Sequence, residues 1–66
     1  MKNTIKLERA RRNLTQAQLS EFIQVSRQTI NAMEAGKYVP STVLALKIAK
    51  FFEMSVHEIF ELEEND

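Results

Sequence analysis

The sequence predicts a small all-α domain of five short helices, and three observations lead to this prediction. Strand signals are almost absent, apolar residues recur at helical spacing, and Ser or Thr precedes most of the helical patterns. A chain of 66 residues has room for one domain only.

Hydroxyl caps and turn residues set the expected helix boundaries. Gln18 follows Thr15 by three residues and Glu58 follows Ser55 likewise, so each pair forms a capping box that satisfies two unpaired backbone N–H groups. Gly36 ends the third helix, because glycine readily takes the left-handed conformation. The predicted helices cover residues 3 or 4 to 12, 16–23, 27–35, 42–52 and 56–61.

Composition excludes several classes of function. The chain has no cysteine, and His57 is its only histidine, so neither a disulfide nor a metal site is expected. An enzyme is the weakest hypothesis, because no nucleophile–base spacing is visible, and no cofactor is expected. No apolar run approaches the roughly 20 residues of a membrane span, and no signal-like core begins the chain, so we expect a cytoplasmic protein with no membrane contact.

Charge is distributed unevenly along a chain whose net charge is zero. Residues 1–38 hold seven Lys or Arg and three Glu, whereas residues 39–66 hold two Lys and six acidic residues. The first part is suited to an anionic partner and the second part would repel it. An ordinary mixed surface with an acidic tail explains the same pattern.

The third helix has two chemically different faces. At about 100° per residue, Ile30 and Met33 share one face, and Arg27, Gln28 and Asn31 lie on the opposite one, together with Ala32 and Ala35. Arg can bond guanine O6 and N7, amide side chains can bond adenine, and Ala can meet thymine methyl groups, so this set suits the DNA major groove. A solvated helix face would carry similar residues.

Three stretches resemble the helix-turn-helix repressors of the Cro/CI type, the xenobiotic-response-element family. They are LTQAQLS, VSRQTINAMEAGKYVPS and ALKIAKFFEMSVHEIF, and together they cover most of the chain. The resemblance implies a lambda-repressor-like DNA-binding domain over residues 1–66, with helices 16–23 and 27–35 as the helix-turn-helix. It also implies a transcriptional regulator, a repressor, whose partner is a near-palindromic double-stranded DNA operator.

The resemblance also implies a role for individual residues. Bases would be contacted by Arg27, Gln28, Asn31 and Ala32, and phosphates by Gln16, Ser26, Thr29, Lys37 and Tyr38. Arg9 and Glu34 match a structural ion pair that links helix 1 to the end of helix 3.

Gln24 departs from the pattern, because it stands where the turn usually has Gly, and a left-handed residue there costs roughly 1 kcal/mol. Glu8 replaces a common Leu and is placed to pair with Arg12 at i+4.

The fourth helix, TVLALKIAKFF, is apolar over more than half of its circumference, which one small domain cannot easily bury. We therefore expect a homodimer, as this family generally forms, with an interface built from Leu44, Phe51, Val56, Ile59, Phe60 and Leu62. The alternating residues of FELE allow a short terminal strand paired with NTIKL. An alternative function is an antitoxin-like protein-interaction module that uses the apolar surface of helices 4 and 5.

Overall fold

Five helices and two short strands make up the domain, and the computed structural model describes all 66 residues. The elements are β1 (Lys2–Asn3), α1 (Ile5–Arg11), α2 (Gln16–Ile23), α3 (Arg27–Glu34), α4 (Thr42–Phe52), α5 (Val56–Ile59) and β2 (Phe60–Glu61). The predicted fold class, with its terminal strand pair, is confirmed. None of the helices has the length and apolar character that crossing a membrane requires.

Side-chain caps begin four of the helices, as the hydroxyl pattern predicted. Thr15 and Ser55 form complete capping boxes, and Ser26 and Ser41 accept hydrogen bonds from Thr29 N–H and Leu44 N–H at 3.1 Å each. Three predicted helices are longer than the observed ones, and for α3 the difference is the single residue after Glu34. α1 starts at Ile5, and α5 ends at Ile59 because Phe60 takes an extended conformation (φ −115°, ψ 137°) and enters β2.

The turns after α1, α2 and α4 place Asn13, Gln24 and Glu53 at positive φ, between 54° and 60°. Gln24 therefore holds the left-handed conformation expected of it, at φ 60°. After α3 the same role falls to Gly36, with φ 75°, so only one of these four turns has the residue that adopts this conformation without strain.

The two strands bring the ends of the chain together beside α3. β1 and β2 pair antiparallel, with Lys2 opposite Glu61 and Asn3 opposite Phe60. The side-chain amide of Asn3 also donates to the carbonyl oxygen of Met33, near the end of α3, at 2.8 Å. The terminal strands therefore hold one end of that helix.

One core joins all five helices. Its fully buried members include Ile30 and Met33 of α3, each with no exposed surface. The remaining core residues are Ile5, Leu19, Ile23, Leu44, Ile48, Ala49, Phe52, Ile59 and Phe60.

The core contains three residues that we expected at a dimer interface. Leu44, Ile59 and Phe60 retain only 8%, 2% and 6% of their surface, because α4, α5 and β2 pack on the rest of the same chain. The expectation is corrected for these three, which have almost no surface to offer a second copy. Phe51 and Val56 are half-buried, and Leu62 is 76% exposed.

Glu8 is buried despite its charge, with 4% of its surface exposed. The carboxylate accepts hydrogen bonds from Arg12 Nη1 at 2.9 Å, the expected i+4 pair, and from Arg11 Nη1 at 3.1 Å. Arg12 Nη2 donates in turn to the carbonyl oxygen of Phe52 at 2.9 Å, and its guanidinium lies 4.6 Å from the centre of that ring. This network ties α1 to the end of α4.

Candidate nucleic-acid interface

α2 and α3 are held in a fixed relation by buried residues. Leu19 and Ile23 of α2 share the core with Ile30 and Met33 of α3. Ser20 is small and 7% exposed, and its hydroxyl donates to the carbonyl oxygen of Ala17 at 2.6 Å, so no polar group is left unpaired where the helices meet.

The opposite face of α3 is open to solvent. Arg27, Gln28 and Asn31 are exposed, and Ala32 is half-buried between them. The side chains of Arg27 and Gln28 make no hydrogen bond within the domain, so their donors and acceptors are free for a ligand. The C-terminal segment does not cover this face.

The ends of α3 present the residues expected to contact phosphate. The hydroxyl oxygens of Ser26 and Thr29 lie 2.9 Å apart, and one hydrogen joins them, so one hydroxyl of the pair can still donate outward. At the other end, Lys37 N–H donates to the carbonyl oxygen of Ala32 at 2.9 Å, which folds the chain back after Gly36. Lys37 and Tyr38 are both exposed on this loop.

Arg9 and Glu34 form a bidentate ion pair beneath the exposed face. Arg9 Nε and Nη2 donate to the two carboxylate oxygens at 2.9 and 3.1 Å, and Arg9 Nη1 donates to the carbonyl oxygen of Leu14 at 2.8 Å. Burial opposes the charged form of Glu34, but the hydrogen bonds from Arg9 and Gln16, together with the positive charges of Arg9 and Lys6, outweigh it and hold the pKa of Glu34 below its usual value. The hydrogen bond to Glu34 likewise raises the pKa of Arg9.

Gln16 connects this ion pair to the exposed face of α3. Its side-chain nitrogen donates to Glu34 Oε1 at 3.1 Å and to Asn31 Oδ1 at 3.3 Å. Gln28 and Asn31 are the two exposed side-chain amides of α3, and of these only Asn31 is restrained by a hydrogen bond from another helix.

Internal ion pairs reduce the charge that the first part of the chain offers to a ligand. Arg9 pairs with Glu34, and Arg11 and Arg12 both pair with Glu8. The cations of residues 1–38 that make no ion pair are Lys2, Lys6, Arg27 and Lys37.

Lys6 is a candidate that the sequence analysis missed. It is exposed on α1 and lines the same surface concavity as Gln16, Asn31 and Glu34. Its spacing of three residues from Arg9 puts both on one face of α1, which is the signal that could have placed it there.

Comparison with known proteins agrees with this geometry. A family model described as helix-turn-helix matches residues 5–59. An HTH-type transcriptional regulator of Methanocaldococcus jannaschii is 53% identical over 66 residues, and HTH-type transcriptional regulator YgzD of Bacillus subtilis is 50% identical over 66 residues, each match covering 100% of both chains. The competence pilus inhibition repressor of Acinetobacter baylyi is 36% identical over 61 residues, covering 92% of this chain and 56% of that protein.

This chain belongs to the helix-turn-helix family of the Cro/CI type. It is a DNA-binding transcriptional regulator and not an enzyme.

Proposed function

We propose that this regulator acts as a repressor that binds a near-palindromic DNA operator as a homodimer, with α3 in the major groove. The observation that carries the proposal is the division of α3 into two faces. Ile30 and Met33 have no exposed surface, whereas Arg27 and Gln28 are exposed and make no hydrogen bond within the domain. A helix held in this way presents rigidly placed donors and acceptors to base edges.

The residues on the solvent-facing side of α3 have partners in the groove that match their chemistry. Arg27 makes a bidentate contact to guanine O6 and N7, Gln28 and Asn31 contact purine edges, and the methyl group of Ala32 meets a thymine methyl. Phosphates are contacted at the start of α2 by Gln16 and at the two ends of α3 by Ser26, Thr29, Lys37 and Tyr38. Lys6 adds a cation beside Gln16. Phosphate contacts set the register and base contacts set the sequence.

Two substitutions test this division of roles in mobility-shift titrations over a salt series. Arg27→Ala should cost about 1–3 kcal/mol on the preferred site and relax specificity at one base pair. Lys37→Ala should weaken binding to all sequences about equally and reduce the salt slope by about one. Lys50→Ala, which removes an exposed cation on α4, is the control and should change neither quantity. Equal losses on operator and random DNA for Arg27→Ala and Lys37→Ala would refute the division.

The proposed dimer interface consists of the predicted interface residues that are still accessible to solvent in the single domain. Phe51 and Val56 are half-buried, and Leu62 is 76% exposed immediately after β2. A two-fold dimer would place two α3 helices about 34 Å apart, on successive turns of the groove. Light scattering at micromolar concentration should give twice the chain mass of 7.7 kDa, and Leu62→Ser should lower that mass. A mass near 7.7 kDa for the unchanged chain would remove the dimer.

A second candidate function is a protein-interaction module of the antitoxin type. It is favoured by apolar side chains outside the core, since Val43 and Leu46 of α4 are 66% and 55% exposed. Selection of bound duplexes from a random pool separates the candidates. An enriched, two-fold symmetric site supports the repressor, and recovery of a protein partner with no enriched duplex supports the module.

A further inference from the structure

We propose that the acidic tail of one copy docks on an aromatic concavity of a second copy, and that this contact is made twice in the homodimer. The acidic tail is residues 61–66. The aromatic concavity lies between the ends of α2 and α4 and is lined by Phe22, Ile23, Gln24, Lys47, Lys50 and Phe51. This inference rests on the homodimer of the proposed function and deepens it, because it assigns the surfaces that meet.

The aromatic concavity presents a ring that the core does not bury. Phe22 is the most exposed aromatic side chain of the chain, with 63% of its surface accessible to solvent. Its ring stacks on that of Phe51, with the ring centres 5.1 Å apart, and Phe51 meets the buried Phe52 at 5.4 Å. The exposed ring is therefore held in place from below. It borders an open concavity of about 380 Å³, which has room for an apolar side chain of another molecule.

Two lysines give the aromatic concavity its charge. Lys47 and Lys50 are exposed, and neither forms an ion pair within the domain. They are also the only basic residues in the acidic second part of the chain, residues 39–66. The acidic residues closest to the lining residues in the chain, Glu21 and Glu53, do not line the concavity. The surface therefore combines apolar rings with two free cations.

The acidic tail has the complementary chemistry. Leu62 is 76% exposed, more than any other large apolar side chain of the domain. Glu61 and Glu64 are exposed and form no ion pair, whereas Glu63 and Asp66 bind the N-terminal amine. An apolar side chain between two free carboxylates matches an apolar surface with two free cations in both charge and polarity.

A reciprocal contact between two copies brings the accessible interface residues together. Phe51 lies in the aromatic concavity, Leu62 lies in the acidic tail, and Val56 lies between them in the chain. Two concavities cannot face each other, because their lysines would repel, so the tail is the part of a second copy that supplies carboxylates. In a two-fold dimer Leu62 of each copy then meets Phe51 of the other, and Val56 lies near the axis.

The charges are best tested by reversal, since removal of one charge has little effect. A single exposed ion pair contributes little to stability, so Lys50→Ala alone should leave the dimer almost unchanged. Reversal of both lysines puts like charges opposite each other in two copies of the contact. We expect it to raise the dimer dissociation constant about 10- to 100-fold.

Sedimentation equilibrium over a concentration series measures that constant for the unchanged chain and three variants. The variants are a reversed concavity (Lys47→Glu with Lys50→Glu), a reversed tail (Glu61→Lys with Glu64→Lys) and a chain with all four substitutions. The first two should each dimerise about 10- to 100-fold more weakly than the unchanged chain. The chain with four substitutions should regain the dimer, because its tail and concavity are again complementary.

A control with matched charge shows whether net charge alone explains the result. Glu21→Lys with Glu53→Lys has the same net charge as the reversed tail but changes neither docking surface, so it should dimerise as well as the unchanged chain. Thermal melts verify that each variant is folded, which is needed because Glu61 lies opposite Lys2 in the strand pair.

Two uncharged variants test the aromatic ring separately. Phe22→Ser removes an exposed ring without touching the core or the charges, and it should raise the dissociation constant about tenfold. Leu7→Ser removes another exposed apolar side chain, 49% accessible on α1, and should leave the constant unchanged. Equal constants for these two variants would overturn the inference. So would a reversed tail that dimerises like its control, or a folded chain with four substitutions that stays monomeric.

The mass of the unchanged chain separates this inference from the proposed function. If it stays at 7.7 kDa over the whole series, the homodimer of the proposed function fails and takes the inference with it. If the unchanged chain dimerises but neither the charge reversals nor Phe22→Ser weaken the dimer, the inference fails alone and the homodimer stands.

Discussion

Replacing Glu34 with Gln tests the ion pair that links α1, α2 and α3. The carboxylate accepts three hydrogen bonds, two from Arg9 at 2.9 and 3.1 Å and one from Gln16 at 3.1 Å. In the Glu34→Gln protein the remaining oxygen can keep the bonds at Oε1. The new NH2 group then replaces Oε2 and faces Arg9 Nε–H, which places two donors opposite each other.

The expected loss follows from those contacts. One charge-assisted hydrogen bond is lost, and the guanidinium of Arg9 then faces a neutral amide in place of a carboxylate. We expect the free energy of unfolding to fall by about 2 kcal/mol, which is within the range for hydrogen bonds to charged groups. For a domain of this size each kcal/mol lowers the melting temperature by roughly 4–8 °C, so we expect a fall of about 8–16 °C at neutral pH.

The size of the loss should depend on pH. The pKa of Glu34 is lower in the folded protein than its ordinary value of 4.5, so its contribution is present above that value and disappears as the pH falls through the folded pKa. Urea unfolding followed by circular dichroism at pH 7 and at pH 3 measures the difference between the unchanged and Glu34→Gln proteins. We expect that difference to shrink at the lower pH.

A matched variant separates the ion pair from a general charge effect. Glu21→Gln removes an exposed carboxylate of α2 that makes no hydrogen bond in the domain, and it should leave the midpoint nearly unchanged. The reasoning is refuted if Glu34→Gln and Glu21→Gln have the same midpoint at pH 7, or if the loss in Glu34→Gln is the same at both pH values.

Two further substitutions give predictions of opposite sign. Gln24→Gly removes a side chain from a left-handed residue with φ 60°, so the free energy of unfolding should rise by about 0.5–1 kcal/mol; an unchanged or lower urea midpoint would show that this turn is not strained. Arg12→Lys should destabilise the domain by about 1–3 kcal/mol, because lysine lacks the two-nitrogen fork with which Arg12 reaches Glu8 through Nη1 and the carbonyl oxygen of Phe52 through Nη2. A thermal melt that matches the unchanged chain would show that the planar guanidinium is not needed there.

The helices were predictable because their signals are local. A hydroxyl cap such as Thr15 and an exit glycine such as Gly36 act within four residues of where they stand, so the sequence alone places the start of α2 and the end of α3. The end of α5 was placed too late, because Phe60 leaves the helix to pair with Asn3, and strand pairing depends on a residue far away in the chain.

Contacts between helices were less predictable than the helices themselves. The apolar pattern of α4 shows which residues avoid water, but it does not tell whether the same chain or a second copy covers them. Leu44, Ile59 and Phe60 were assigned to a dimer for this reason, and the domain's own core contains them. The hydrogen bond between Gln16 and Asn31 joins residues 15 positions apart and depends on how α2 crosses α3, so no local sequence signal predicts it.

The strand pair at the two termini has a consequence for how the chain acquires its structure during synthesis. Lys2 and Glu61 enclose almost the entire polypeptide, so their pairing closes a loop of nearly the whole domain and belongs to the late steps of folding. Asn3, whose side chain bonds the carbonyl oxygen of Met33, pairs with Phe60 only then. A nascent chain on the ribosome therefore lacks the strand pair beside the far end of α3 until β2 has emerged.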